Sequence, residues 1–265
     1  MWCKLTDINV INNIYDDIKK NNGISVTNYN RFGNDIEKYL NNTEVFYLLD
    51  NGNLYIIVKL ERINRLYYCI SDENSFSVNF EGRLLCEIID VKDKNRQEKA
   101  LSKLKELGFA QYATYYQWVC DEYLNSFHTN TEGILFTDKL DMKFLEKIYE
   151  IFDLISDMLP LKTSFYSNRG GMDCIVAKDI YGKSVAAVLY DIVGKRVTED
   201  YIYVSEEERG NGYGYSVGNR LIEKFVNDQK CRVYAWIEEN NVNSIKMHQK
   251  LGYRITSKYK ISMVR

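Results

Sequence analysis

Tyr201-Ile-Tyr-Val-Ser-Glu-Glu-Glu-Arg209-Gly-Asn-Gly-Tyr-Gly214-Tyr-Ser-Val-Gly-Asn-Arg-Leu-Ile-Glu-Lys-Phe225 is the stretch that decides the fold. Aromatic and β-branched residues up to Val204 predict a strand, and Glu206–Glu208 predict a solvated turn. Val217, Leu221, Ile222, Phe225 and Val226 then recur with a period near 3.6, which predicts an amphipathic helix. Between strand and helix, Gly210, Gly212 and Gly214 remove the β-carbon from alternate positions, so backbone N–H groups can converge on an anion. The helix adds its unpaired first-turn N–H groups and the positive end of its dipole. The chemistry is that of a phosphate cradle. Its spacing excludes two common kinds. A dinucleotide fingerprint needs a third glycine where Tyr215 or Val217 stands, and a P-loop needs a Gly-Lys-Ser/Thr end that is absent.

A second stretch fixes the kind of cradle. Asn241-Val-Asn-Ser244-Ile-Lys-Met-His248-Gln-Lys250-Leu-Gly252-Tyr253 follows a β-rich run, Arg232–Ile237. Arg209-x-x-Gly212-x-Gly214, followed in order by this Asn and a helix closing in Lys-x-Gly-Tyr, resembles the GNAT family of N-acetyltransferases. The resemblance covers the last half of the chain. It implies a mixed α/β fold in which the strand ending at Val204 splays from the strand at Arg232–Ile237. It also implies acetyl-CoA as co-substrate, its pantetheine arm lying in the gap against the backbone of Ile202, Tyr203 and Val204. Arg209 and the N–H groups of Gly210, Asn211, Gly212, Tyr213 and Gly214 then hold the pyrophosphate, and Asn241 touches the cofactor arm. His248 stands where many relatives carry a Tyr that protonates the coenzyme A sulfur. An imidazolium can do the same if its reference pKa of about 6.5 is tuned upward; the plainer reading is a helix-surface His satisfied by water.

The acceptor amine must attack as the neutral form, which calls for a base or, as in some relatives of the family, for loss of the proton through water with no dedicated base. Strand alternation puts Val204, Ile202, Asp200 and Thr198 on one face, with Glu199, Tyr201 and Tyr203 on the other. Relatives that carry a base on this strand place it where Asp200 or Thr198 stands here. Asp200 is therefore the first candidate. Glu199 is the second, because a bulge inverts the alternation, and Glu238 at the end of the next strand is the third. Each also reads as a plain strand-edge carboxylate.

Working outward, the end of the second stretch has a double. Lys103-Leu-Lys-Glu-Leu-Gly-Phe109 before a Tyr-rich strand parallels Met247-His-Gln-Lys-Leu-Gly-Tyr253 before Arg254–Val264. In both, a helix stops at a Gly suited to a left-handed cap, and an aromatic follows. Upstream of each lie a helix and a set of strands. In the first half these are Ile8–Ile18, a short helix near 35–40, then Val45–Leu49 and Leu54–Val58 joined by the hairpin signal Asn51-Gly52. Leu66–Ile70 and Leu84–Ile89 follow. In the second half they are a helix carrying Phe144, Leu145, Ile148, Ile151, Phe152 and Ile155 before Pro160, then strands at Cys174–Ala177, Val185–Tyr190 and Val197–Val204. The pattern predicts two tandem copies, each a mixed, mostly antiparallel sheet flanked by helices, at 1–125 and 130–265 with a polar linker at 121–133. The first copy is degenerate. Where the cradle should lie it has Ser71–Arg83, with one glycine and the carboxylates Asp72, Glu73 and Glu81, which would repel pyrophosphate.

Composition narrows the partners. Lys and Arg (35) nearly balance Asp and Glu (37), giving a net charge of -2 and no basic face for nucleic acid. No apolar run reaches membrane-spanning length, and the first residues lack a signal-peptide core, so a cytoplasmic protein is expected. Six scattered cysteines without a C-x-x-C pair, and two histidines, give no metal site. The expected activity is transfer of an acetyl group from acetyl-CoA to a primary amine, of a small molecule or a peptide, in a ternary complex. The alternatives are a non-catalytic acyl-CoA-binding module and a peptide- or protein-directed N-acetyltransferase.

Overall fold

A computed structural model of the chain describes residues 1–29, 36–71, 75–89, 94–124, 133–152 and 162–265. The expectations at Asp72, Glu73, Ile155 and Pro160, and those for most of the linker, lie outside these. The chain forms two compact units, one of Met1–Thr114 with Tyr259–Arg265, the other drawn from residues 115–258. This division and the one at 1–125 and 130–265 differ in where two strands go.

In the first unit, α1 (Ile8–Asn21) starts at Asp7, whose carboxylate accepts from the Asn9 N–H and fills one orphan donor of the first turn. Ile11 and Ile18 on its inner face are buried with Leu54, Ile56 and Val58. β3 (Val45–Asp50) and β4 (Asn53–Val58) form the expected hairpin, with Asn51 and Gly52 at φ of 50° and 77°, the signature of a type I′ turn. β5 (Asn64–Ile70) pairs antiparallel with β4 and parallel with β6 (Leu84–Ile89). The neighbour of β6 on its other side comes from the end of the sequence: residues 260–264 of β13 (Arg254–Val264) pair antiparallel with residues 85–89. β1 (Cys3–Lys4) lies outside β3, β2 (Val26–Thr27) pairs with β5, and α2 (Ile36–Leu40) is one short turn. α3 (Lys94–Glu106) closes the second face with Ala100 and Leu104 against Cys86, Ile88, Ile261 and Met263.

The borrowed strand is tied in by charge as well. Glu87 sits between Lys260 at 2.9 Å and Arg65 at 2.9 Å, all three largely out of solvent. Burial pushes the Glu87 carboxyl up, and the two cations outweigh it and hold it below the usual range. Such a trio contributes little net stability against an apolar replacement, but removing one cation strands a buried charge. Arg265 exchanges both backbone bonds with Leu84 and donates from its guanidinium to the Val78 carbonyl.

The second unit has the strand order β7-β12-β11-β10-β9-β8. β8 (Leu135–Thr137), β9 (Asp173–Lys178), β10 (Ser184–Val193) and β11 (Arg196–Val204) pair antiparallel with one another in that order. β12 (Arg232–Glu238) is parallel to β11, and residues 115–120 of β7 (Ala110–Cys120) pair antiparallel with β12. α4 (Met142–Ile151), capped by the Asp141 side chain on the Phe144 N–H, packs its aromatic face on one side, where Phe144 meets Tyr203 edge-on. α5 (Lys162–Asn168) sets Phe165 against Tyr149 of α4. On the opposite side lie α6 (Tyr213–Ile222), which continues into a wide turn at Glu223–Asp228, and α7 (Val242–Lys250). Val217, Leu221, Ile222, Phe225 and Val226, the residues that predicted the helix, are all buried there.

The two units repeat one plan. Each has a single parallel strand pair, with an antiparallel strand beyond it supplied by the other half of the sequence. Both helices before those strands stop in the same way. Gly108 and Gly252 take φ of 84° and 87°, and the N–H groups of Phe109 and Tyr253 reach back to the carbonyls of Leu104 and His248, both at 3.0 Å. Among the described residues no helix is long and apolar enough to cross a membrane.

Candidate active site

β11 and β12 pair only from Arg196↔Arg232 to Glu199↔Ala235, yet the strands run on to Val204 and Glu238. The sheet therefore opens into a fork whose base is Glu199. A bulge stands at the same place. Against β10 the register passes from Tyr190↔Glu199 to Leu189↔Tyr201, making Asp200 the added residue. The bulge reverses the alternation. Val197 and Glu199 face the side of α6 and α7, as do Ile202 and Val204 beyond it, while Tyr201 and Tyr203 turn to α4. The face expected from uninterrupted alternation is thus corrected at Asp200, which is exposed at the bulge, whereas Glu199 is buried.

At the mouth of the fork the chain turns through Glu206–Glu208 and reaches the glycines. Gly210 and Gly212 adopt φ of 88° and 83°, which only glycine takes without strain, and Gly212 is the N-cap of α6. Among the described residues, no backbone acceptor takes the N–H groups of Gly210, Gly212, Tyr213 or Gly214. Asn211 is the exception to the expected run, since its N–H reaches the Glu208 carbonyl at 3.4 Å. Arg209 is half-exposed and 3.7 Å from Glu206, which leaves a cation beside these N–H groups. Gly214 serves packing too. A Cβ there would lie 3.2 Å from Val204 and 3.3 Å from the Met247 sulfur, and one at Gly218 only 2.7 Å from Leu251. These glycines let α6 close on β11 and α7.

Inside the fork's base lies a buried polar trio. His248 Nε2 is 2.6 Å from Glu199 Oε1, and the Tyr253 hydroxyl donates to Glu199 Oε2 at 2.7 Å. His248 Nδ1 is 2.7 Å from the Ser244 carbonyl, four residues back on α7. A carbonyl only accepts, so Nδ1 carries a proton, and one further proton is shared between Nε2 and the carboxylate. His248 is 2% exposed, so it is not a helix-surface histidine. Burial alone would lower its pKa; the Glu199 charge and the Glu199 and Ser244 hydrogen bonds outweigh that and raise it. Burial, then the same carboxylate, raises Tyr253 well above the ordinary phenol. With both ring nitrogens engaged, His248 reaches a thiolate only by releasing Glu199. Asn241, the expected cofactor contact, caps α7, its side-chain oxygen accepting from the Ser244 N–H at 3.1 Å. Tyr253 was expected only as the aromatic after a helix stop; its hydroxyl was the one available signal of a polar role.

The second unit is thus a mixed sheet that opens at its one parallel pair, with unpaired N–H groups at the mouth. Residues 142–253, in the second half of the chain, match the model of the acetyltransferase (GNAT) family, and that segment is of this family. It is similar to the spermine/spermidine N(1)-acetyltransferase of Bacillus subtilis, 33% identical over 60 residues that cover 22% of this chain and 40% of that protein. It also resembles the L-methionine sulfoximine/L-methionine sulfone acetyltransferase of Pseudomonas aeruginosa, 31% identical over 93 residues, 33% of this chain and 54% of the relative. The chain thus spans about half or less of the length of these relatives. Over its full length it shares the fold of a tandem GNAT protein from the clavulanic acid biosynthesis pathway, with a TM-score of 0.60 at 10% identity, covering 100% of this chain and 98% of that one. A GCN5-related N-acetyltransferase from Sphaerobacter thermophilus matches similarly, with a TM-score of 0.60, 10% identity and coverage of 100% and 95%.

Proposed function

We propose that the chain is an N-acetyltransferase that moves an acetyl group from acetyl-CoA to the amine of a small polar molecule, by direct attack in a ternary complex. The observation that carries this reading is the fork between β11 and β12, with unpaired N–H groups at its mouth and an ionisable trio at its base. The gap beside Ile202–Val204 suits an extended amide-bearing arm added as a further strand, and the donors of Gly210, Gly212, Tyr213 and Gly214 suit a pyrophosphate, with Arg209 folding over it. Asn241 lies at the start of the helix that flanks the arm.

The bond changes are simple. The amine nitrogen forms a bond to the thioester carbon, the carbon–sulfur bond breaks, the amine gives up one proton and the leaving thiolate takes one. In this reading Glu199 with His248 receives the amine proton. Glu199 stands at the fork's base, and Asp200 is exposed beside it as the second candidate. The names of the two relatives, a polyamine and an amino-acid analogue acetyltransferase, support a small amine as acceptor. The test is release of coenzyme A thiol with acetyl-CoA against polyamines, amino-acid analogues and peptides. Turnover with a small amine, abolished together with coenzyme A binding by Gly212→Asp, is the expected result. Binding without turnover on any amine identifies a non-catalytic acyl-CoA module, and turnover confined to peptides a protein-directed enzyme.

A further inference from the structure

The first unit has a fork of its own. β5 and β6 pair in parallel only from Asn64↔Leu84 to Leu66↔Cys86, and beyond those residues each strand continues without the other. That gap is filled by the chain itself. Val26 and Thr27 pair antiparallel with Ile70 and Cys69, on the edge of β5 away from β4. Ser25 and Asn28 extend the pairing with N–H bonds to the carbonyls of Ile70 at 2.8 Å and Tyr68 at 3.2 Å. The Thr27 hydroxyl donates to the same Tyr68 carbonyl at 2.8 Å. Asn28 then continues the strand with its side chain. Its Nδ2 donates to the Leu66 carbonyl at 3.1 Å and its Oδ1 accepts from the Tyr68 N–H at 2.7 Å.

We propose that Ser25–Asn28 is a permanent occupant of the first unit's fork, an internal substitute for the extended amide-bearing ligand that the second unit's fork takes from solution. The comparison with the second unit rests on the function proposed above; the occupancy of the first fork does not. A peptide-like arm binds a strand edge through alternating N–H and C=O groups, and here the carbonyls of Leu66, Tyr68 and Ile70 and the Tyr68 N–H are already taken. The side-chain amide of Asn28 stands where a third peptide group of an added strand would lie, and it makes both of that group's bonds. The space left beside the segment is a cavity of about 190 Å³ between Val26, Ile70, Phe76, Lys99 and Lys103. That is below the roughly 300–1,000 Å³ of ligand pockets. The mouth is closed too, because Phe76 and Val78 are buried where the cradle glycines would be, and Arg265 holds the Val78 carbonyl. The first copy therefore keeps the fold without keeping a vacancy.

Amide hydrogen exchange on the intact chain, with and without coenzyme A, tests this, since exchange reports the opening of individual hydrogen bonds. The Tyr68 amide should exchange slowly without ligand and stay unchanged when coenzyme A is added. The amides of Ile202–Val204 should slow roughly tenfold or more only when it is added. Fast exchange at Tyr68 in the free protein, or slowing there on adding coenzyme A, overturns the proposal. Absence of any change at Ile202–Val204 counts against the acetyltransferase reading and leaves the first fork to be judged on Tyr68 alone. In Asn28→Leu, which removes both side-chain bonds at similar volume, the Tyr68 amide should exchange at least about tenfold faster while Ile56 and Ile57 of β4 stay protected. An unchanged Tyr68 amide in that variant also overturns the proposal.

Discussion

Glu199 and His248 turn one shared proton into an observable. The folded-state pKa of His248 is raised, so its contribution to stability is fully present below about pH 6.5, the unfolded value. It is lost as the pH rises through the folded value. The unfolding midpoint of the second unit should therefore fall with rising pH above about 6.5, and His248→Gln should flatten that slope. Titration melts of both proteins check this; equal slopes exclude a coupled proton. For catalysis the sign is opposite. In the proposed reaction the pair accepts a proton only after His248 has lost its own, so turnover should rise with pH across the same window. Glu199→Gln should lower turnover roughly 100-fold with coenzyme A affinity retained, in the range of general base catalysis. Asp200→Asn should lower it far less. The reverse ranking makes the bulge carboxylate the base. The position of His248 was legible from its motif, but its partner was not. Period-two alternation carries no mark of an inserted residue, so the bulge at Asp200 moved the choice from one carboxylate to its neighbour.

Among elements, α6 shows how closely the glycine pattern sets packing. Gly218 is helical, so Ala would ordinarily stabilise it by about 1 kcal/mol. Here the added methyl would meet Leu251 at 2.7 Å in a filled core, an overpacking of about 1–3 kcal/mol, so Gly218→Ala should cost about 0–2 kcal/mol net. Denaturant melts check this, and Gly218→Ala with Leu251→Ala should show a favourable coupling, because the clash is removed with the leucine. Local signals were the reliable ones. Asn51-Gly52, Gly108 and Gly252 each announced a turn or a stop because positive φ excludes most side chains. Residues 25–28 announced nothing. Two strand residues are too few for a period, and their pairing with Cys69 and Ile70 is made across a long stretch of sequence. Ser71–Arg83, with one glycine and three carboxylates, predicts the loss of the cradle in the first copy, but nothing in it marks the pairing of residues 25–28.

At the scale of the molecule, the repeat marked two copies but not the sheet that each copy's last strand joins. Ala110–Cys120 and Arg254–Val264 occupy the same place in the repeat, each after a helix ending in Gly and an aromatic. The same pattern can complete either sheet, so no residue spacing distinguishes the two. The exchange makes a firm expectation about stability. Removing residues 259–265 takes Lys260 from Glu87 and the buried Ile261 and Met263 from α3, leaving β6 an open edge. Two such side chains contribute about 3–6 kcal/mol by burial alone. The shortened chain should lose amide protection in β4, β5 and β6, with α6 and β10 less affected. Intact protection in β6 would show that the strand is dispensable.

The same exchange sets a timetable for synthesis. The first unit is begun first and finished last, because Arg265 and the Val78 carbonyl that it holds are 187 residues apart. At translation rates of 5–20 residues per second, β6 waits roughly 10–40 s for its neighbour. Through that interval a nascent chain carries one sheet with an unfinished side, and the second unit is built in the meantime with a strand taken from the first half.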